Sequence, residues 1–270
     1  MRKRIGSILL LLVLAVFVAG CGVLQEPEAA SGPIEAIPLA VETPAAEAAV
    51  TGTAVPETIT IESEAVATET TAAPTEAEPA AGAEETSGEA TTGELRVYQI
   101  SQAESQVRFQ LDEDLRGART TVVGATDQVA GEIALDLNDL STAQMGVLQI
   151  NARTLATDNN FRNRAIQNEI LQTGSYEFIT FTPTAINGLP ASATVGEAIT
   201  FTIDGDLTIR DVTQPVTFTV VATPVTETQL AGTASAVIVR ADYNLAIPSV
   251  PNVANVEEEV ELYIEFVANA

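Results

Sequence analysis

Few residues in this 270-residue chain are equipped for covalent or acid–base chemistry. It has no histidine, a single cysteine (Cys21) and a single lysine (Lys3). The commonest general base and the commonest transition-metal ligand are therefore both missing. A Ser–His–Asp set cannot be assembled, and a Ser–Lys pair would depend on Lys3, three residues from the N-terminus. Carboxylates are plentiful, but Asp204 and Asp206 stand two apart in an alternating run, which puts both on the solvent face of a strand with no sign of a cleft. Asp112, Glu113 and Asp114 offer oxygen ligands without the glycine and spacing of a calcium loop. Neither catalysis nor a metal site is expected. The formal charge of −25 also argues against a nucleic-acid partner, since phosphate binding needs clustered Lys and Arg. The chemistry left to this chain is the burial of apolar surface.

The elements that could organise such burial begin with the N-terminus. Arg2, Lys3 and Arg4 precede an apolar run from Ile5 to Ala19, too short for a membrane span of ~20 residues and suited to an export signal. The run ends in Ala19-Gly20-Cys21, and small residues directly before the only cysteine resemble the lipobox of bacterial lipoproteins. That resemblance implies a signal peptide over residues 1–20, cleavage before Cys21, lipidation of Cys21 and an exported protein anchored to a membrane of the cell envelope. Two or three acyl chains anchor stably where one does not, at ~0.8 kcal/mol per buried CH₂. With one cysteine, no intramolecular disulfide can form.

Residues 22–93 change composition. They hold 14 Glu and seven Pro with no positive charge, and little that is aromatic. Such a segment has too little to bury against its ordering entropy. Residues 21–93 are accordingly read as the lipidated cysteine followed by a disordered tether, about 45 Å from end to end as a random coil.

Residues 94–270 alternate apolar and polar with period two, the mark of half-buried strands. Val107, Phe109 and Leu111 alternate with Gln106, Arg108 and Gln110; Ile199, Phe201 and Ile203 follow the same rule, as do Val216, Phe218 and Val220. Ile133 and Leu135, then Ile264 and Phe266 against Glu261 and Glu265, complete the pattern, with Phe181 in a further strand. Eight or nine antiparallel strands in this length predict a barrel or a sandwich. One stretch departs from it: Asp158 to Leu171 carries Phe161, Ala165, Ile166 and Ile170 at helical spacing, with Thr157 or Asp158 as cap. It predicts a short amphipathic helix over one mouth of the sheet. Gly131, Gly205 and Gly232 fall on inward positions, where a missing side chain marks a bend or makes room.

The same residues carry a family resemblance. Asp204-Gly-Asp-Leu-Thr-Ile-Arg-Asp-Val-Thr-Gln-Pro-Val-Thr-Phe218 resembles the "GxLTIRGVTKPVTF" signature of YceI-like domains, a lipid- and polyisoprenoid-binding family. Tyr98 to Phe109, Arg162 to Leu171 with Tyr176 to Phe181, and Ile247 to Val256 agree in order, so the likeness spans nearly all of 94–270. It departs in having Glu104 before Ser105 where many relatives have histidine, no aromatic after Gly124, and no tryptophan. The resemblance implies an extended, lipocalin-like antiparallel β-barrel of about eight strands that holds an isoprenoid or other lipid chain. Phe109, Leu111, Ile133, Phe161, Ile166 and Phe181 would then contact that chain, together with Phe201, Ile203, Phe218, Ile264 and Phe266. Arg162 and Arg164 on the helix are the candidates for an anionic headgroup. Beyond that ligand no cofactor is expected. The partners implied are the apolar lipid and, through Cys21, the membrane. The other reading of the same alternation is a structural or adhesion module whose phenylalanines fill the interior by themselves.

Overall fold

The computed structural model describes residues 25–40 and 94–270, which form one compact unit; the signal run, Cys21 and most of the expected tether lie outside the described residues. Thirteen strands follow in order: β1 (Arg96–Ile100), β2 (Gln106–Leu115), β3 (Ala118–Thr126), β4 (Val129–Ala130), β5 (Glu132–Asp136), β6 (Asp139–Met145), β7 (Leu148–Asn151), β8 (Phe178–Asn187), β9 (Ile199–Ile209), β10 (Val212–Thr226), β11 (Gln229–Val239), β12 (Val253–Ala254) and β13 (Glu259–Asn269). One short helix, α1 (Asn160–Ala165), interrupts them and continues as a wider turn over Ile166–Ile170.

All pairings are antiparallel, and alternation explains them locally. In β13, Val260 and Ile264 are buried while Glu259 and Glu265 are exposed, and β13 meets β11 without a slip from Val239↔Glu259 to Gln229↔Asn269. A one-residue shift there would turn the whole apolar row outward, so burial itself holds the register. The pairing path runs from β4 through β7, β8, β9, β10, β11, β13, β1 and β5 to β6, with β2 bonded to β13, β3 and β12. Only Gly131 separates β4 from β5, and its carbonyl accepts the Ile100 N–H at 3.0 Å. Both ends of the path therefore lie on one stretch of chain, and the sheet curls back on itself at its waist.

Away from the waist the curl is open. Among the described residues β6 and β8 share no ladder, and a groove of about 570 Å³ lies between them. At the other end β3 has β2 as its ladder partner, and one bridge, Ala125–Ala156, leads the chain toward α1, which lies over that opening. The expectation of a closed antiparallel barrel of about eight strands is corrected in strand number and in closure. The sheet is a curled one of thirteen segments, splayed at its ends. The chain breaks where it kinks: at Gln102–Glu104, Ser105 replaces lost backbone rungs, its hydroxyl accepting the Val267 N–H and donating to the Val267 carbonyl.

The helix differs in detail from expectation. Its cap is Asn159, whose side chain accepts the N–H groups of Phe161 at 2.8 Å and Arg162 at 3.2 Å. Thr157 instead bonds Asn163, so neither Thr157 nor Asp158 serves as cap.

A larger difference concerns residues 25–40, which composition assigns to the tether. They form an extended strap along the domain. The Asn168 amide donates to the Gln25 carbonyl at 2.8 Å, Arg153 pairs with Glu28 at 2.9 Å and donates to the Ala29 carbonyl, and Ser31 N–H donates to Glu177. Further on, Gln102 donates to the Ile34 carbonyl, the Ile34 side chain is 3% exposed, and Leu39 N–H donates to Glu132. Prolines 27, 33 and 38 forbid regular structure in the strap. Its order comes instead from partners on the domain.

Docking of the strap is expected to weaken in acid. Burial raises the Glu177 carboxyl, but the Ser31 N–H and hydroxyl, the Asn151 amide and the Arg153 guanidinium outweigh it, so the group sits below its usual pKa. A depressed carboxylate stabilises docking above its unfolded pKa of ~4.3, and that contribution fades as pH falls through the lower folded value. The protection factor of the Ser31 N–H, the slowing of its exchange relative to an unfolded chain at the same pH, is therefore expected to hold from neutral pH down to about 4 and to fall below it. Glu177→Gln speeds exchange already at pH 7 and flattens the step; an unchanged profile in that variant would contradict the assignment.

Candidate functional site

Among the described residues, a cavity lies toward each end of the curl. The larger, about 360 Å³, lies under α1 and opens to the surface. Phe109 and Leu111 of β2, Leu262 of β13, Ile238 of β11 and Ile166 below the helix wall it. The smaller, about 90 Å³, is lined without polar surface by Ile133, Phe201, Ile203, Ile264 and Phe266 among others. Between them the waist is packed. Val107, Ile150, Phe181, Leu207 and Phe218 are all buried and line neither cavity. The rings of Phe181 and Phe218 meet edge to face, 5.0 Å between centroids at 75°.

Glycines set how these rings lie. A Cβ on Gly124 would come within 2.2 Å of the Phe109 ring, one on Gly205 within 2.5 Å of the Phe181 ring, and one on Gly232 within 2.8 Å of the Phe266 ring. Each ring is seated on bare backbone, so the bend-or-room ambiguity of Gly205 and Gly232 resolves toward room, for a phenyl group of the protein. At Gly205 the added carbon would also stand 2.6 Å from the Thr182 carbonyl, which cannot swing aside as a side chain can. Gly205→Ala is expected to destabilise the domain by about 1–3 kcal/mol through overpacking. A denaturant midpoint equal to the parent's would contradict this seating.

The expected site residues thus divide into three groups. Phe109, Leu111, Ile166 and Phe161 line the larger cavity, Phe161 at its rim with 64% exposure. Ile133, Phe201, Ile203, Ile264 and Phe266 line the smaller. Phe181 and Phe218, expected to touch ligand, line neither cavity and form the partition instead: β8 and β10 flank β9, and the Phe181 ring lies over Gly205 of β9, where it meets Phe218.

Of the two helix arginines, Arg162 reaches the larger cavity but is already engaged. It pairs with buried Glu113 at 2.9 Å and with Asp158 at 2.6 Å. Arg164, two positions along, lines neither cavity. Sequence reasoning missed Arg116, which lies exposed in the turn between β2 and β3 at a φ of 55° and lines the same mouth. It also missed the wall formed by Ile247, Pro248, Val250 and Pro251. That loop is held from behind by buried Arg240, which donates to the carbonyls of Leu245 and Glu257 and pairs with Glu258. Arg210 pins the end of the helical segment by donating to the Ile170 carbonyl at 3.1 Å. Among the described residues no cluster of carboxylate or cysteine side chains could hold a metal ion. The cavity is thus largely apolar, with its buried charges Glu113 and Arg240 each ion-paired, and can shelter hydrocarbon but offers no catalytic constellation.

Comparison with known proteins agrees in character. The family model of the YceI-like domain matches residues 98–268. Among solved structures, a polyisoprenoid binding domain from Saccharophagus degradans implicated in plant cell wall breakdown superposes with a TM-score of 0.52 at 16% identity, covering 66% of this chain and 99% of its own. BcnA of Burkholderia cenocepacia gives 0.49 at 18% identity, covering 63% and 99%. A YceI protein of Campylobacter jejuni gives 0.45 at 17% identity, covering 54% and 84%. At these identities the likeness speaks to fold alone. A search of curated proteins gives no significant match.

Proposed function

As the chain belongs to the YceI-like domain family, we propose that it is a binding protein that holds one apolar chain, isoprenoid or fatty, in the cavity beneath α1, for storage or transport within the cell envelope. The observation that carries this reading is the larger cavity itself. At about 360 Å³ it falls in the ~300–1,000 Å³ range of small-molecule sites, and its walls are almost wholly aliphatic and aromatic. Each Å² of hydrocarbon it removes from water contributes ~25 cal/mol, so affinity needs no strong polar anchor. The polyisoprenoid-binding relative supports the choice of ligand class. In this reading the curled sheet works as a barrel, since residues 118–136 bond β1 and β2 on one side and β6 and β7 on the other. Arg116 and Arg162 at the rim suit an anionic head.

The N-terminus belongs to the same proposal. Ala19-Gly20-Cys21 supports export, cleavage and acylation of Cys21, which would tie the domain to a membrane. Titration with a fluorescent polyene fatty acid tests the binding function. Saturable uptake of one probe per chain, displaced by a polyprenol, is expected. Absence of saturable uptake by folded protein would favour the structural or adhesion module.

A further inference from the structure

The strap changes what the N-terminal segment can do. A 72-residue coil between an anchor and the domain would let the domain wander ~45 Å from the membrane. But Gln25 is already held on the helical segment, by the Asn168 amide at 2.8 Å, and the chain stays docked from there to Leu39. Cys21 is four residues before Gln25, a separation that extended chain cannot stretch beyond about 14 Å. Residues 41–93 fall in sequence between the docked Leu39 and β1, on the far side of the strap from Cys21, so their length adds nothing to the anchor's reach.

The surface brought near the anchor is the mouth of the larger cavity. Asn168 is seven residues beyond Phe161, about 10 Å along the helical segment. Phe161 is 64% exposed and Val250 40%, large apolar side chains left in water on either side of the opening. Arg116 lies exposed at the same rim. The smaller cavity lies toward the other end, where the loop after β8 bonds the β5–β6 turn region through Leu140 N–H to the Ala191 carbonyl and Ala193 N–H to the Leu137 carbonyl.

We infer that the strap fixes the domain's orientation on a lipid bilayer: it holds an acylated Cys21 beside α1, so that the mouth rimmed by Phe161, Val250 and Arg116 faces the membrane surface and exchanges its chain directly with it. This rests on the lipid-anchored reading above and adds direction to it. Phe161 and Val250 enter the interfacial region, where exposed apolar groups are favoured, and Arg116 meets lipid phosphate. An apolar chain then passes between bilayer and cavity without crossing water.

The test uses the full chain, matured in a bacterial host and reconstituted into phosphatidylcholine–phosphatidylglycerol vesicles that contain a nitroxide-labelled lipid. A fluorophore is placed by Asn160→Cys at the mouth or by Ser192→Cys at the far end, both exposed positions. The mass of the N-terminal peptide reports acylation of Cys21. Quenching several-fold stronger at 160 than at 192 is expected, and Ile34→Asp, which strikes the strap and not the sheet, should bring the two toward equality. Acylated protein with equal quenching at both sites overturns the orientation while leaving the anchor in place. An unmodified Cys21 overturns the anchor, and the orientation with it.

Discussion

Leu111→Asp is expected to lower affinity for a fatty-acid probe at least 100-fold while leaving the domain folded. Leu111 sits in β2 opposite Val122 of β3, half-buried, with its side chain on the wall of the larger cavity. An aspartate there can hydrate while the open cavity holds water, so the fold loses little. Entry of a hydrocarbon chain strips that water, and an unpaired carboxylate in an apolar site costs several kcal/mol. A 100-fold loss corresponds to about 2.7 kcal/mol, so the expected effect is a lower bound. Leu111→Trp separates charge from space: it fills the cavity without adding a carboxylate and should also reduce uptake. Folded Leu111→Asp protein that binds the probe as the parent does would show that the chain lies elsewhere.

The second large effect is expected at the partition. Phe218 is buried and its ring meets that of Phe181 edge to face. Phe218→Ala removes one side of that contact and leaves a hole at the waist, which costs about 3–5 kcal/mol of stability. The hole is also expected to connect the cavities of about 360 and 90 Å³. Two readouts follow from one change: a lower denaturant midpoint and acceptance of longer chains in competition against a ladder of chain lengths. An unchanged length limit would mean that the waist does not set it. The Phe181 ring is itself seated against Gly205, so under the proposed function a long isoprenoid would be admitted in the parent only as far as these two rings yield.

Much of this architecture is legible in residue order. Period-two alternation marks β2, β9, β10 and β13 because each buries one face, and the apolar spacing from Phe161 to Ile170 marks the helical segment. The candidate lining residues were legible for the same reason. Alternation says which face a residue is on, not how far along the strand the opposite wall closes in. Phe181 and Phe218 therefore look no different in sequence from Phe109, though they close the waist and Phe109 lines a cavity. The three glycine–phenyl seats were hidden because the partners lie 15, 24 and 34 positions apart and meet only across strands. Arg116 carries no signal beyond its type, and its place at the mouth comes from the tight β2–β3 turn. The strap was least legible. Every residue that orders it, from Gln102 to Glu177, lies outside it, so local composition could report only its inability to fold alone.

In the proposed function the space beneath α1 is occupied by a hydrocarbon chain. Native mass spectrometry of the full chain, released from the membrane fraction of its producing cells under mild detergent, reads that most directly. A non-covalent adduct of one apolar lipid per protein is expected, in addition to any acyl groups on Cys21, and it should disappear in Leu111→Trp. Folded parent protein that emerges repeatedly without such an adduct, and takes up none when offered polyprenols or fatty acids, would contradict it.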